Sequence, residues 1–316
     1  MSDFINPHWH IEFYAPDEAH MRGITKIYAS EKTPFQKVEV IQSNHYGKCL
    51  ILDGHMQSAQ GDEFIYHENL VHPAMVSCPN PKKVVIIGGG EGATLYEVLR
   101  HKTVEKAWMI DIDKRVVELC DKFMPEWHRG AFKDKRTRLL FQDGRKFLEK
   151  SKEQFDVIII DIPEPVEEGP AYLLYTEEFY RMVSKKLAPN GMVSLQSGCS
   201  AEKELRCLAA VHNTLKRVFP VVYSWPANVP SFDIPWSFTM ASNSMDPKAL
   251  HRDQVDRILK ERKVGPLKYY DGETHEGIFF VPKYIRDGFA RIRDIIKDNK
   301  PLTYRFIGEE KNSRKP

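Results

Sequence analysis

Hydrophobic positions follow two rhythms along this chain. Up to residue 59 they come in short alternating runs, at 9–14, 26–30, 37–42, 48–52 and 56–59, separated by turn chemistry such as Asn44 to Gly47 and Asp53-Gly54. This predicts a small β-meander over residues 1–60. It is too polar to stand alone, so it packs on the larger domain or on a second subunit. Residues 62–76 place Phe64, Ile65, Leu70, Val71 and Met75 at near-helical spacing, with Asp62 and Glu63 at the favourable end. On pattern alone, Tyr66, His67 and Glu68 in the middle of this helix read as half-buried surface residues. From Pro81 strand and helix alternate: strands at 84–87, 107–111, 138–141, 155–161 and 192–196, helices at 92–100, 113–123, 145–150 and 176–187. The run 155–161 (FDVIIID) suits a parallel strand buried on both faces. Such alternation predicts an α/β fold with a doubly wound, Rossmann-like parallel sheet over residues 61–300. A helix at 201–218, strands at 221–225 and 236–241 and a helix at 284–298 follow. The charged stretch EEKNSRKP closes a tail over 301–316.

Composition narrows the function classes. The chain has 316 residues, 42% hydrophobic and 28% charged, with net charge +2, which excludes a strongly basic nucleic-acid or membrane-surface protein. Five cysteines are scattered without C-x-x-C spacing, so neither a disulfide framework nor a zinc site is expected. No signal peptide or membrane-length apolar run is present, which predicts a cytoplasmic protein.

Candidate chemistry centres on residues 84–93, VVIIGGGEGA. The strand enters a glycine cluster in which Gly88, Gly90 and Ala93 fit G-x-G-x-x-A. That spacing alone is weak, and Glu91 changes its meaning. A loop that cradles pyrophosphate presents N–H groups to negative charge, and a carboxylate there favours a cation instead. The other predicted strand ends carry Asp111, Asp143 and Asp161, with Glu164 and Gln196 beyond. Singly, each acid reads equally well as a cap or turn residue. Together they crowd one mouth of the sheet, where ligands of parallel sheets bind, and crowding of that kind calls for a bound cation. No His pair stands at metal spacing, so an organic cation is favoured and no metal is expected. An adenosine-linked sulfonium fits. S-adenosylmethionine would bring its own carboxylate against Glu91, whereas the decarboxylated form ends in an ammonium that Glu91 and Asp161 can hold.

These residues resemble those of the polyamine aminopropyltransferases, the spermidine and thermospermine synthase family. The resemblance is carried by KTPFQ (32–36), GKCLILDGHMQSAQGDEFIYHE (47–68), PNPKKVVIIGGGEGATLYEVLRHKTVEK (79–106), FDVIIIDIPEPVEEGPAYLLYTEEFY (155–180) and KYYDGETHEGIFFVP (268–282), nearly the whole chain in order. It implies a small N-terminal β-domain on a class I methyltransferase-type sheet, a homodimer or homotetramer, and no permanently bound cofactor. The implied reaction passes an aminopropyl group from decarboxylated S-adenosylmethionine to an amine. By resemblance Glu91 meets the donor ammonium, Asp111 the ribose and Asp143 the adenine, with Gln36 and His67 also on the donor. Asp161 receives the acceptor's proton, helped by Tyr66, and Gln196 lies on the acceptor side.

Two departures concern the acceptor. The family's D-x-x-D-P is D-I-P-E-P here, so Glu164 adds a methylene. Residues 230–236, PSFDIPW, replace an aromatic-Pro-Ser-Gly loop, bringing Phe232, Asp233 and Trp236 to the acceptor side. The run 164–170 is closer to thermospermine-forming and agmatine-accepting members, which implies an acceptor longer than putrescine; a putrescine-specific spermidine synthase is the alternative. Glu164 and Asp233 are expected to hold the acceptor's distal amines. An S-adenosylmethionine methyltransferase, a nicotinamide dehydrogenase and a non-catalytic polyamine-binding protein are the competing classes. Glu91 argues against the first two, and Asp161 with Tyr66 against the third.

Overall fold

The computed structural model describes residues 8–15, 17–165 and 171–302. The alternating N-terminal runs become β1 (His8–Ala15), β2 (Glu18–Lys32), β3 (Lys37–Ser43), β4 (Gly47–Leu52) and β5 (His55–Ala59), one antiparallel sheet in chain order. Asp53 and Gly54 both have positive φ, 48° and 84°. This is the turn whose twist matches two flanking strands, so the β4–β5 hairpin is tight. In β1 the usual alternation is inverted. His10 and Glu12 are buried, while Trp9, Ile11 and Phe13 are 49%, 45% and 49% exposed.

The larger part contains α1 (Glu63–Ser77), β6 (Lys83–Gly88), α2 (Ala93–Arg100), β7 (Lys106–Asp111), α3 (Lys114–Phe123), α4 (Pro125–His128), β8 (Thr137–Phe141), α5 (Gly144–Lys150), β9 (Phe155–Asp161), α6 (Glu177–Lys186), β10 (Leu187–Cys199), α7 (Arg206–Lys216), β11 (Val221–Asn228), β12 (Pro235–Ser242), α8 (Arg252–Glu261), α9 (Gly272–Gly277) and α10 (Lys283–Arg291). Its seven strands lie in the order β11-β12-β10-β9-β6-β7-β8. The five strands from β10 to β8 are parallel, as the βαβ pattern predicts. The sheet is not parallel throughout: β12 runs antiparallel to both β10 and β11. The short link between β11 and β12 permits only a hairpin, and a hairpin is antiparallel.

Three other expectations change. The helix predicted over 284–298 ends at Arg291, where Ile292 leaves helical geometry at ψ 107°. The helix predicted from 201 starts at Arg206, after a single 3-10 turn at Glu202–Glu204. Tyr66, His67 and Glu68 are buried rather than half-exposed, because α1 is covered along its length from Tyr66 to Ser77 and has no solvent face to reveal. The helices α8 and α9 escaped prediction because they bury so little; Val255 is the only residue of α8 in the core. Among the described residues no helix is long and apolar enough to cross a membrane.

The N-terminal sheet seats on the larger part. Val38, Val40 and Leu50 pack with Val116, Leu119 and Trp127, and the Trp127 indole N–H donates to Ser58 Oγ at 2.7 Å. Arg22 is buried between Glu12 and the 231–233 turn, donating to Ser231 O at 2.7 Å and to the carboxylates of Glu12 and Asp233.

Candidate active site

The adjacent strands β9, β6, β7 and β8 end at one mouth, and their ends deliver the acids that the pattern pointed to. Asp161 closes β9, Glu91 follows β6, Asp111 closes β7 and Asp143 follows β8. All four line one cleft of about 910 Å³ together with Gln36, Tyr66, Gly88 and Gly90. Gly88 is required by close approach rather than by a ligand: its φ is 84°, and an added Cβ would stand 2.0 Å from the Asp161 carbonyl. The Gly89 N–H donates to that same carbonyl at 2.8 Å, fixing the loop against β9.

Asp161 is held at both oxygens. Tyr66 Oη donates to Oδ1 at 2.8 Å and Thr94 Oγ1 to Oδ2 at 2.6 Å. Burial, and then the charge of Glu91, push its carboxyl up to about 6, against the opposing His67 charge and those two hydrogen bonds. Burial and the neighbouring Asp161 also push the Tyr66 phenol well above its ordinary value, so it stays a neutral donor. His67 Nε2 lies 2.7 Å from Glu91 Oε1, and its Nδ1 lies 2.7 Å from Glu63 O and 3.1 Å from Glu63 Oε2. Burial opposes charge on this imidazole, but the bonds to Glu63 and Glu91 outweigh it and hold the ring protonated.

Asp111 has no such cation. Its Oδ1 accepts from the Asp113 N–H at 2.8 Å, and burial pushes its carboxyl up to about 7. Gln36 reaches the site through Asp113, whose Oδ2 accepts from Gln36 Nε2 at 3.2 Å and Thr33 Oγ1 at 2.6 Å. Asp143 caps α5 through Lys146 N at 3.0 Å while still lining the cleft.

Ligand atoms of His67, Glu91 and Asp161 lie within 4.8 Å of one another, a grouping that the linear spacing did not reveal. A metal would need a free imidazole lone pair, whereas both His67 nitrogens already face carboxylates. The donor set therefore suits an imidazolium bridging carboxylates and does not fit a metal.

A second cleft, of about 1970 Å³, shares Gln57, Tyr66, Ile162 and Pro163 with the first. Glu164, Phe232 and Trp236 line it as expected, with Phe232 edge-on to Trp236 at 4.9 Å and to Tyr66 at 5.9 Å. Gln196 lines it too, but its amide is spent internally. Nε2 donates to Ile162 O and Tyr175 Oη at 2.7 Å each, and Oε1 accepts from Gly198 N. Gln196 thus anchors the segment after β9, with both Nε2 protons engaged inside the protein. Asp233 is not among the lining residues. Its carboxylate is tied to Arg22 and, at 3.1 Å, to His20 Nδ1, because the turn it occupies docks on β2. Residues 166–170 of the run 164–170, and 303–316 of the expected tail, lie outside the described residues.

Four lining or supporting residues were not anticipated: Thr94, Gln57, Tyr14 and Glu12. Glu12 arrives from β1, held down to about 2; burial raises it, but His10, His55 and Arg22 outweigh that. The sequence carried no signal for it: His10 and Glu12 alternate with Trp9, Ile11 and Phe13, and only the structure shows that the polar face is the buried one. Thr94 carried no signal apart from its place in the first turn of α2.

Residues 63–252 match the spermine/spermidine synthase domain, and residues 8–60 match the spermidine synthase tetramerisation domain. The chain is 45% identical over 294 residues to a polyamine aminopropyltransferase of Sulfolobus acidocaldarius, covering 93% of this chain and 97% of that one. It is 43% identical over 295 residues to that of Sulfurisphaera tokodaii, with the same coverage. A spermidine synthase crystallised with the transition-state analogue AdoDATO superposes with TM-score 0.84 at 31% identity, over 90% of this chain and 95% of that one. The Thermotoga maritima spermidine synthase gives 0.82 at 31% identity, over 90% and 94%. With the acid-lined mouth of its sheet and matches that span both sheets, the chain belongs to the spermine/spermidine synthase family, the polyamine aminopropyltransferases.

Proposed function

We propose that this enzyme moves the aminopropyl group of decarboxylated S-adenosylmethionine onto an acceptor longer than putrescine: spermidine, giving thermospermine, or agmatine. The observation that carries the reading is the second cleft. It continues from Tyr66 for a larger volume than the first and is lined by Glu12, Asp17, Glu18, Glu164, Glu202 and Glu204, against Lys203 and His55. A diamine needs one distal carboxylate; a row of them suits a chain carrying further cationic groups.

In this reading the first cleft takes the donor. Glu91 pairs with the propyl ammonium, Asp111 accepts from the ribose hydroxyls and Asp143 from the adenine amine; Gln36 and His67 hold Asp113 and Glu91 in place. The acceptor amine, with a pKa near ~10.4, arrives protonated and cannot attack in that form. Asp161 takes its proton, and Tyr66 and Thr94 hold the carboxylate in line. The nitrogen lone pair then forms a C–N bond to the methylene beside the sulfonium as the C–S bond breaks. The electron pair of that bond goes to sulfur, which leaves as the neutral thioether methylthioadenosine. No oxyanion develops, so positioning supplies the remaining gain. Glu164 pairs with a distal amine, while Glu12, already held by Arg22 and His55, backs the wall of the cleft rather than serving as a free partner.

Catalysis resides in residues 61–300, and the N-terminal 1–60 supplies one wall of the acceptor cleft and the oligomer contact. The outward Trp9, Ile11 and Phe13 and the match of 8–60 to a tetramerisation domain support a homodimer or homotetramer. Buried thiols at Cys49, Cys78, Cys120 and Cys199 support a cytoplasmic setting. The test is turnover of decarboxylated S-adenosylmethionine with putrescine, cadaverine, agmatine, norspermidine and spermidine, products separated chromatographically. Higher kcat/KM for spermidine or agmatine than for putrescine is expected. A preference for putrescine refutes the long-acceptor reading, and no product from any amine refutes the catalytic one.

A further inference from the structure

On the side of α1 away from the acceptor cleft lies a third concavity of about 1220 Å³, open to solvent and lined by residues of α1, α2, the 129–136 turn and the 263–268 segment. Its charge is opposite in sign to that of the two clefts already described. Four acids line it, and each is already satisfied. Glu97 takes Arg100 Nη1 at 2.9 Å and His72 at 2.9 Å. Asp134 takes Arg136 at 2.8 Å. Glu68 accepts the backbone N–H groups of Lys268, Tyr269 and Tyr270 at 2.8–3.0 Å. Glu63 faces His67 at 3.1 Å. What remains is Lys102, Lys133, Lys263 and Lys268, none in an ion pair among the described residues, and Arg129, whose only carboxylate contact is Glu63 at a long 3.5 Å.

Arg129 is placed there by an unusual backbone. It has φ 44° and ψ 39°, a left-handed conformation that a non-glycine residue adopts at a cost. That turn lays its guanidinium 4.6 Å over the Tyr96 ring. Lys268 similarly covers Phe64 at 5.0 Å. Both aromatic faces are therefore taken, so the concavity offers cations rather than a stacking surface.

We propose that this concavity binds a small polyphosphate anion, and that occupancy is coupled to the donor cleft through Arg129, Glu63, His67 and Glu91. Several uncompensated cations on one concave wall suit a multiply charged anion better than a single charge. The coupling runs through contacts of 3.5, 3.1 and 2.7 Å. An anion draws Arg129 off Glu63. The charge of the anion and the loss of the Arg129 contact make the Glu63–His67–Glu91 chain more negative as a whole, which tightens its grip on a cationic donor. The coupling rests on the assignment of Glu91 to the donor; the anion site itself does not.

The intact enzyme is titrated with sodium tripolyphosphate by calorimetry at fixed ionic strength, with orthophosphate and ATP as comparison arms. Saturable binding of tripolyphosphate at one site per chain is expected, weakened about tenfold or more in the Lys102→Glu/Lys133→Glu variant. ATP binding as tightly marks the triphosphate as the recognised group, and orthophosphate binding as tightly overturns the preference for a polyanion. Donor affinity, titrated without any amine, is expected to rise about fivefold with tripolyphosphate in the wild type and to stay unchanged in the variant. The variant also controls for association of donor and anion in solution, and its melting curve checks that it folds. Absence of saturable binding, equal binding by the variant, or a donor affinity indifferent to tripolyphosphate overturns the proposal. Because binding is read without turnover, its failure is distinct from failure of the proposed reaction.

Discussion

Tyr66 and Asp161, 95 residues apart in the chain, meet with the phenol oxygen 2.8 Å from Asp161 Oδ1, at the point where the two acid-lined clefts join. One comes from the first turn of α1 and the other from the end of β9. Their contact makes α1 part of the site rather than a support behind it. It also fixes the orientation of the Asp161 carboxylate.

Asp161→Asn keeps the shape and removes the carboxylate proposed as the base. We expect kcat to fall by ~10²–10⁴, the range for a general base, with donor affinity nearly unchanged. Single-turnover kinetics beside a donor titration measure both; normal turnover in Asp161→Asn would sink the assignment.

The activity of the wild type should fall as pH drops through about 6, where Asp161 gains its proton. The Tyr66 hydrogen bond holds that value down, so Tyr66→Phe should move the acid limb of the kcat/KM profile, which reports the free enzyme, upward. An acid limb that stays in place in Tyr66→Phe separates the phenol from the titrating group.

Glu91→Gln removes the charge proposed to pair with the cationic tail while leaving a hydrogen-bond acceptor for His67. The donor KM should rise about 10–100-fold, from the loss of one charge-assisted bond of ~1.5–3 kcal/mol, with a smaller change in kcat. Unchanged donor KM would place the donor ammonium elsewhere.

Asp111 bears on stability with an inverted sign. Its folded-state value of about 7 stands above the ordinary 3.8, so it costs nothing below about pH 4, takes native stability progressively as pH rises from about 4 to 7, and exerts its full cost above 7. Asp111→Asn should therefore stabilise the ligand-free enzyme at pH 8, by up to ~4 kcal/mol, and lose that advantage by pH 4. Denaturant unfolding at the two pH values checks it. The same variant should bind donor more weakly.

Arg22 is buried among Glu12, Asp233 and the Ser231 carbonyl, where the N-terminal sheet meets the larger part. Replacing it with Met strands two carboxylates and should cost about 3–5 kcal/mol. A loss below about 1 kcal/mol in denaturant unfolding would show that water reaches the pair.

The sequence by itself determined the parts whose signal is local. The alternating runs and the Asp53-Gly54 turn dictated the β-meander, and apolar runs such as 155–161 dictated the parallel strands. Because ligands collect at the ends of such strands, Glu91, Asp111, Asp143 and Asp161 were legible as one mouth before any distance was known. Only the tertiary structure decided which neighbours those acids have. Burial of α1 on all sides, invisible to periodicity, turned Tyr66 and His67 from surface residues into partners of Asp161 and Glu91. Packing of β1 and β2 on the 231–233 turn tied Asp233 and Glu12 to the same Arg22, which took Asp233 out of the cleft and left Glu12 in its wall. The bonds of Gln196 to Ile162 and Tyr175 made it an anchor. Pairings of this kind join residues far apart in the chain, and no pattern read within a window of ten or twenty residues encodes them.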